Sequence, residues 1–107
     1  LKESIYMKYA LRNTWICQRG KSPEAMEGFK AVAENYRSMG LPTRLYVDIS
    51  GDMDVIVLEL EIDSLDGYFK DQRAFYAGMD DATKGLVDGL NENTSSGSRI
   101  LYEIVEF

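Results

Sequence analysis

The chain has 107 residues, a length that suits one domain and is too short for two. Its 18 acidic residues outnumber its 12 basic residues, and the resulting net charge of -6 disfavours nucleic acid and anionic membranes as partners. The sequence contains no histidine, so it lacks the commonest metal ligand and the usual proton carrier near neutral pH.

Cysteine content and hydropathy bear on the compartment. The single cysteine, Cys17, excludes an internal disulfide and is compatible with a reducing environment. No apolar stretch approaches the roughly 18 residues of a membrane-spanning helix. Residues 1–5 lack the basic and apolar regions of a signal peptide. We therefore expect a cytoplasmic protein with no membrane partner.

Residues 4–18 predict a long first strand, because aromatic and β-branched side chains are frequent and apolar residues recur at alternate positions. The apolar parity contains Met7, Tyr9, Leu11, Trp15 and Cys17. A strand of this length favours a bulge, which would exchange its two faces partway along. The face of this strand that meets a ligand is therefore left open.

Residues 22–39 predict an amphipathic helix. Ser22 suits the N-cap and Pro23 the first helical position. The apolar positions recur every three or four residues and comprise Met26, Phe29, Val32, Ala33, Tyr36 and Met39. Gly40 predicts a left-handed C-terminal cap, after which Pro42 prevents continuation.

Residues 43–50 and 54–62 predict two alternating strands, joined through the turn at Ser50, Gly51 and Asp52 into a hairpin. One parity, expected to pack on helices, contains Leu45, Val47, Ile49, Ile56, Leu58, Leu60 and Ile62. The other parity contains Arg44, Tyr46, Asp48, Val55, Val57, Glu59 and Glu61. The second set mixes apolar carbon with several charges.

The last third of the chain predicts a second helical region capped by Ser64, with a break near Gly78 and a further helical piece over 80–90. Its predicted buried residues are Leu65, Tyr68, Phe69, Phe75, Tyr76, Met79, Ala82, Leu86 and Leu90. Residues 91–98 predict a mobile polar loop and residues 99–107 a final strand.

The order β-α-β-β-α-β predicts an α+β fold of the ferredoxin-like type, with two helices on one face of a four-stranded antiparallel sheet. The other sheet face is too apolar for water and too charged for a dry core. Such a mixed face suits a second copy of the sheet, with a partly wet cavity of the kind that binds small molecules.

Four motifs resemble the NIPSNAP-like branch of the dimeric α/β-barrel superfamily. They are Arg12 to Trp15 in the first strand, Gly-Lys-Ser-Pro before the first helix, the hairpin from Arg44 through Gly51 to Glu59, and Ser64-Leu65. The resemblance spans nearly the whole chain. It implies one dimeric α/β-barrel domain over residues 1–107, paired through facing sheets with a cavity beneath each sheet.

The superfamily that this chain resembles also includes cofactor-independent monooxygenases, haem-dependent peroxidases and haem-degrading enzymes. Haem-degrading members use a strand Asn, a Trp and a helix His. Asn13 and Trp15 fit that pattern, but the chain has no histidine to serve as the axial ligand. We therefore expect no metal and no cofactor.

The candidate ligand-binding residues are Arg12, Trp15, Arg44, Tyr46, Asp48 and Glu59. Each also has a structural interpretation. Trp15 suits a core or interface aromatic, and Arg12, Arg44 and Glu59 suit cross-strand ion pairs at a dimer interface. Asp48 and Glu59 share a predicted sheet face, where they would form a carboxylate pair for acid–base chemistry.

The sequence leaves three functional hypotheses. The first is a homodimeric small-molecule-binding protein with its ligand in a cavity beneath the sheet. The second is a cofactor-independent monooxygenase, or a related enzyme, that acts on an aromatic or polyketide-like substrate. The third is a structural module that binds a partner through an exposed apolar patch outside the dimer interface.

Overall fold

A computed structural model describes residues 8–107. The elements of this part follow in the order β1 (Tyr9–Cys17), α1 (Ser22–Ser38), β2 (Thr43–Val47), β3 (Val55–Ile62), α2 (Leu65–Ala77), α3 (Asp81–Glu92) and β4 (Thr94–Glu103). The predicted β-α-β-β-α-β order is confirmed, with the second helical region divided into α2 and α3 at Gly78. Residues 4–7 of the predicted first strand, including Met7, lie outside the described residues.

The four strands form one antiparallel sheet in the order β2-β3-β1-β4, the ferredoxin-like arrangement. In the centre of the sheet Arg12 lies opposite Glu59 on one side and Ile100 on the other. The predicted bulge lies between Ile16 and Cys17, where the pairing with β4 shifts. Because it comes at the end of β1, strict alternation fixes the two faces over most of the strand.

One sheet face packs on the helices and forms the core. The main cluster of buried residues contains Leu11, Val32, Ala33, Tyr36, Leu58, Leu60, Ile62, Tyr68 and Val87. A second cluster contains Cys17, Ala25, Phe29, Ile56 and Leu90. The predicted helix-facing parity of β3 is therefore confirmed. Burial also raises the pKa of the Cys17 thiol, in keeping with a packing role.

The opposite face, here called the open face, is covered by no helix of the described chain. Its residues alternate with the core positions and are Ala10, Arg12, Thr14, Ile16, Arg44, Tyr46, Val55, Val57, Glu59, Glu61, Ser96, Ser98, Ile100 and Tyr102. Four of its larger apolar or aromatic side chains, Ile16, Tyr46, Ile100 and Tyr102, are exposed. The open face is therefore an unpartnered surface with substantial apolar area.

Helix α1 ends as the sequence predicts. Gly40 has φ +82°, and the N–H groups of Gly40 and Leu41 donate to the carbonyls of Arg37 and Tyr36 at 3.0 and 3.1 Å. These two hydrogen bonds form a Schellman motif. The start differs by one residue, because Lys21 is the N-cap and Ser22 already belongs to the helix. The Ser22 hydroxyl instead donates to Asp54 Oδ1 at 3.2 Å.

Helices α1 and α3 approach closely at Gly28. A Cβ atom at this position would lie 2.4 Å from the carbonyl oxygen of Leu86 and 2.7 Å from Leu90 Cβ. Only a glycine permits this separation of the helix backbones. The contact holds α3 beside α1, where Phe29 of α1 and Leu90 of α3 pack in one cluster with Ile56 of the sheet.

Strand β2 is shorter than predicted, so Ile49 does not reach the core. The strand ends at Val47, and Ile49 is 99% exposed. The physical cause is the turn that follows, in which Asp48 Oδ1 accepts the backbone N–H of Val55 and Asp54 adopts a left-handed φ of 61°. The side chain of Val47 is half exposed as well.

The predicted loop over 91–98 is wrong, because β4 begins at Thr94. Helix α3 continues to Glu92, and only Asn93 separates it from the strand. Pairing with β1 outweighs the polar composition: the Gln18 N–H donates to the Asn93 carbonyl at 2.8 Å, and the Ser95 hydroxyl donates to the Ile16 carbonyl at 3.0 Å. The strand also ends earlier than predicted, at Glu103.

The second helical region buries fewer residues than predicted. In α2 only Tyr68 is fully buried, whereas Phe69 and Tyr76 are exposed. In α3 the buried residues are Val87 and Leu90, while Leu86 is exposed. Two short helices separated by a break each present a narrow buried stripe, and neighbouring apolar positions are left at the surface.

Candidate functional site

A small, partly open cavity, here called the chamber, lies between the helix-packed face of the sheet and the helices. Its volume is about 90 Å³. Its aromatic lining residues are Trp15, Phe29, Tyr36, Tyr68 and Tyr76. Its polar lining residues are Asn13, Gln72, Asn91 and Arg99. Aromatic walls with a few converging polar groups are typical of a small-molecule site.

A wider and more open groove adjoins the chamber beside β4. The groove has a volume of about 340 Å³ and is lined by Asn13, Trp15, Gly97, Ser98 and Arg99. Asn13, Trp15 and Arg99 line both spaces, so they form the junction between chamber and groove. The groove is shallow and largely open, so a ligand that occupied it would remain partly exposed to solvent.

The position of Trp15 depends on Gly97 across the strand pair. A Cβ atom at Gly97 would lie 2.9 Å from the Cδ1 and Nε1 atoms of Trp15. On its other side the indole packs against Phe29, with ring centroids 4.8 Å apart. The indole N–H has no hydrogen-bond partner in the described chain, and it lies where the groove begins. Trp15 therefore offers a ligand both a flat apolar surface and a donor.

Arg99 is positioned by Asn13 and Phe69. Its Nε donates to Asn13 Oδ1 at 3.0 Å, and its guanidinium lies over the Phe69 ring at 5.9 Å from the centroid. Asn13 itself is only 4% exposed. Among the described residues, no carboxylate lies within ion-pair distance of Arg99. The terminal guanidinium nitrogens are therefore left without a protein partner.

Two tyrosines meet inside the chamber. The hydroxyl oxygens of Tyr36 and Tyr68 are 3.4 Å apart and their ring centroids 5.9 Å apart. Burial, followed by the hydrogen bond to Tyr68, raises the pKa of Tyr36; burial also raises the pKa of Tyr76. The charge of Arg99 opposes both shifts without cancelling them. The phenols of Tyr36 and Tyr76 therefore keep their protons to a higher pH than a solvated tyrosine does.

Four of the six residues predicted from the sequence lie together on the open face, on the other side of the sheet from the chamber. Arg12 donates from Nε and Nη2 to Glu59 Oε2 at 2.8 and 2.6 Å, and the Tyr46 hydroxyl donates to Glu59 Oε1 at 3.3 Å. The hydrogen bond with Glu59 also raises the pKa of Arg12. Arg44 lies directly opposite Glu59 on β2.

The remaining two predicted residues lie elsewhere. Trp15 occupies the helix-packed face, opposite Ile56, and thus lines the chamber rather than the surface that carries Arg12. Asp48 lies past the end of β2, four residues after the partner of Glu59, or about 13 Å along the strand direction. The predicted Asp48–Glu59 carboxylate pair is therefore not formed.

Most residues of the chamber were missed at the sequence level. The available signal was Asn13, a polar residue at an alternate position between the apolar Leu11 and Trp15. A polar side chain on a core-facing parity needs a partner. That partner is Arg99, 86 residues further along the chain. Only the pairing of β1 with β4 reveals it.

The described residues do not group three or more His, Cys, Asp or Glu side chains as a metal site would require. The polar groups of the chamber and groove are amides, hydroxyls, an indole N–H and a guanidinium. In the described part of the chain, no helix is long and apolar enough to cross a membrane.

Comparison with solved structures identifies the fold. A NIPSNAP family protein from Agrobacterium tumefaciens superimposes with a TM-score of 0.79 at 14% identity, covering 95% of this chain and 90% of that chain. The chain has the fold of the NIPSNAP family proteins. The sequence itself matches no protein-family model and no curated protein.

Two further neighbours of this NIPSNAP-like fold bear on assembly and activity. One is a dimeric protein of unknown function and ferredoxin-like fold from Bacteroides fragilis, with a TM-score of 0.65 at 18% identity, covering 91% of this chain and 96% of that chain. The other, from Caulobacter crescentus, carries the provisional name of an antibiotic biosynthesis monooxygenase. It has a TM-score of 0.69 at 16% identity, and the coverage is 98% of each chain.

Proposed function

We propose that this protein is a homodimeric small-molecule-binding protein, with its ligand in the chamber and groove and a second copy of the chain on the open face. The observation that carries the proposal is the junction of the two spaces. There the Trp15 indole, the Asn13 amide and the Arg99 guanidinium converge on a volume open to solvent through the groove. Aromatic surface and convergent donors are the features of a binding site.

The chemistry of the open face supports a second copy as its partner. Its central charges, Arg12 and Glu59, neutralise each other, and Tyr46 satisfies the second carboxylate oxygen. Around them lie exposed apolar and aromatic side chains, among them Ile16 and Ile100. Burying the Arg12–Glu59 pair about a two-fold axis would therefore leave neither of these two charges unpaired. Arg44 and Glu61, on the same face, have no ion-pair partner within the described chain, and a second copy could supply one. The neighbour from Bacteroides fragilis is described as dimeric, which supports a dimer for this chain.

A cofactor-independent monooxygenase is the second candidate. The Caulobacter crescentus neighbour and the three tyrosines of the chamber favour it. Binding without turnover is better supported, because the lining of the chamber and the groove contains no Asp, Glu, His, Cys or Lys side chain. Tyr36 and Tyr76 are held neutral, and the carboxylates considered from the sequence, Asp48 and Glu59, lie outside both spaces. A general base for proton abstraction is therefore missing from the lining.

Native mass spectrometry of the gently purified protein tests the proposal. We expect a dimer that carries additional mass, which is lost when the protein is denatured. The variant Gly97→Leu places a side chain against Trp15 and is expected to remove the additional mass. The control Gly85→Leu adds the same side chain where nothing lies within 4 Å of the new Cβ, and is expected to retain it. Equal ligand content in both variants would place the ligand elsewhere.

Oxygen uptake distinguishes the binding protein from the monooxygenase. The purified protein is incubated with an aromatic hydroquinone in air, beside a sample without protein. We expect no uptake above that of the blank. Protein-dependent uptake that disappears in Tyr76→Phe would favour the monooxygenase instead.

A further inference from the structure

We propose that the ligand is a planar organic carboxylate, with its carboxylate on Arg99 and Asn13 and its ring against Trp15. This inference rests on the proposed function and names the class of ligand. An experiment can test the two proposals separately. A neutral ligand bound in the same spaces would contradict this inference and leave the proposed binding function intact.

The charges that line the chamber and the groove favour a ligand of negative charge. The chain has 18 acidic residues and a net charge of -6, yet no Asp or Glu lines the chamber or the groove. Arg99 is the one charged residue in the lining of these two spaces. An acidic protein thus presents a cation at a concave site from which its carboxylates are absent. A ligand of negative charge is complementary to this site.

The contacts of Arg99 favour a carboxylate as the negatively charged group of the ligand. Its Nε is occupied by Asn13 Oδ1, and the ring of Phe69 lies beneath the guanidinium plane. These contacts orient the side chain while both terminal nitrogens remain without a protein partner. A planar fork with two free donors matches the two oxygens of a carboxylate. Asn13 Oδ1 already accepts a hydrogen bond from Arg99. The side-chain NH₂ group of Asn13 can therefore donate a hydrogen bond to the same anion.

The volumes of the chamber and the groove indicate where the aromatic ring of the ligand binds. The chamber, at about 90 Å³, is smaller than the cavity of about 150 Å³ that accepts benzene in an engineered protein. An aromatic ring therefore lies in the groove, where Gly97 leaves the Trp15 indole uncovered on the strand. The carboxylate then lies at the junction, within reach of Arg99, and the chamber behind it holds water or a small substituent.

Trp15 is the one tryptophan of the chain, so its fluorescence reports on this site alone. The experiment titrates the intact protein, after exchange into ligand-free buffer, with benzoate, with the neutral isostere benzamide and with acetate. We expect saturable quenching by benzoate, with a Kd at least about tenfold lower than that of benzamide or acetate. The charge and the ring are both needed for this preference.

Variants at Arg99 assign the effect to the guanidinium. We expect Arg99→Gln to weaken benzoate binding at least about tenfold and to leave benzamide binding unchanged. Arg99→Lys keeps the charge without the planar fork and is expected to lie between the two. The control Arg73→Gln removes the same charge from an exposed position on α2 that lines neither space. It should bind benzoate like the unmodified protein.

Three outcomes would overturn the proposal. They are equal affinity for benzoate and benzamide, undiminished benzoate binding by a folded Arg99→Gln protein, and no response of Trp15 to benzoate. In each case native mass spectrometry still decides the proposed function, because additional mass that Gly97→Leu removes shows a ligand of another class in the same spaces. If Arg99→Gln does not fold, the ratio of the Kd values for benzoate and benzamide tests the proposal, together with the benzoate affinity of Arg99→Lys.

Discussion

Burial determines how the tyrosines of the chamber behave. The Tyr36 side chain lies between the sheet and α2, where removing its phenolate from water raises its pKa above the ordinary value near 10. In the unfolded chain the same phenol is solvated and titrates normally. The difference links the alkaline stability of the protein to a residue of the candidate site.

The free energy of unfolding is expected to fall as the pH rises above about 10. Above that pH the unfolded chain loses the Tyr36 proton while the folded chain retains it, so the unfolded state binds fewer protons. Tyr36→Phe removes this difference and should make the alkaline decrease shallower. At neutral pH the variant should lose less than about 1 kcal/mol, because its hydrogen bond to Tyr68 is long.

Urea unfolding at several pH values measures this effect. The conservative control is Tyr46→Phe, because Tyr46 lies on the open face outside the chamber. Comparison with this variant separates the effect of burial at Tyr36 from the loss of any one phenol hydroxyl. The same slope for Tyr36→Phe and the unmodified protein would show that Tyr36 titrates normally in the folded state.

The candidate site was only partly predictable from the sequence. Trp15 was a cavity candidate by its type, beside its interpretation as a core or interface aromatic, and alternation alone placed it on the face opposite to Arg12. Arg99 was not recognised, because a lone arginine at the start of a strand has no local signature. Its role arises from the cross-strand register with Asn13, and register is a property of distant pairing.

Glycines on α1 and α3 illustrate opposite roles for the same residue type within helices. Gly28→Ala should destabilise the fold by about 1–3 kcal/mol, because the new Cβ would overlap the α3 backbone at Leu86. Gly85→Ala should stabilise it by about 0.5–1 kcal/mol, because the added Cβ meets no atom within 4 Å and the unfolded chain loses freedom.

Thermal unfolding of the two variants beside the unmodified protein tests this pair. The two substitutions are chemically identical, so the sign of the difference reports on the α1–α3 contact alone. A Gly28→Ala protein that unfolds at the same temperature as the unmodified protein would show that the helices lie further apart than the structure places them.

Elements whose ends carry capping or helix-breaking residues were predicted well. Elements that depend on pairing between strands distant in the sequence were not. Helix α1 carries Pro23 near its start and Gly40 after its end, and its bounds agree within one residue. Residues 94–98 are polar and small, so their composition predicts a loop. They form strand because β1 offers an edge whose backbone groups they satisfy. No local pattern contains that information.

At the scale of the molecule, the open face predicts the assembly. Ile16 lies on this face, opposite Val55 and Ser96, and is 45% exposed. Ile16→Asp would bury an unpaired charge in the proposed dimer and should weaken it by at least about 2 kcal/mol. Leu86→Asp, at a residue 41% exposed on α3, should leave the dimer intact.

Sedimentation of the two variants over a range of concentrations measures the dimer affinity. The matched exposure of the two positions separates a loss of the interface from a general effect of added negative charge. If both variants remain dimeric, the second copy binds a surface other than the open face.

The place of β4 beside β1 has a consequence for how the protein is made. Asn13 and Arg99 of the candidate site are separated by 86 residues, and closing so long a loop is slow compared with forming the local helices. During synthesis β1, the hairpin and all three helices leave the ribosome before β4 does. Until then, the backbone N–H and C=O groups on the β4 side of β1 have no partner strand. The candidate site of a nascent chain is therefore complete only when β4 has joined the sheet.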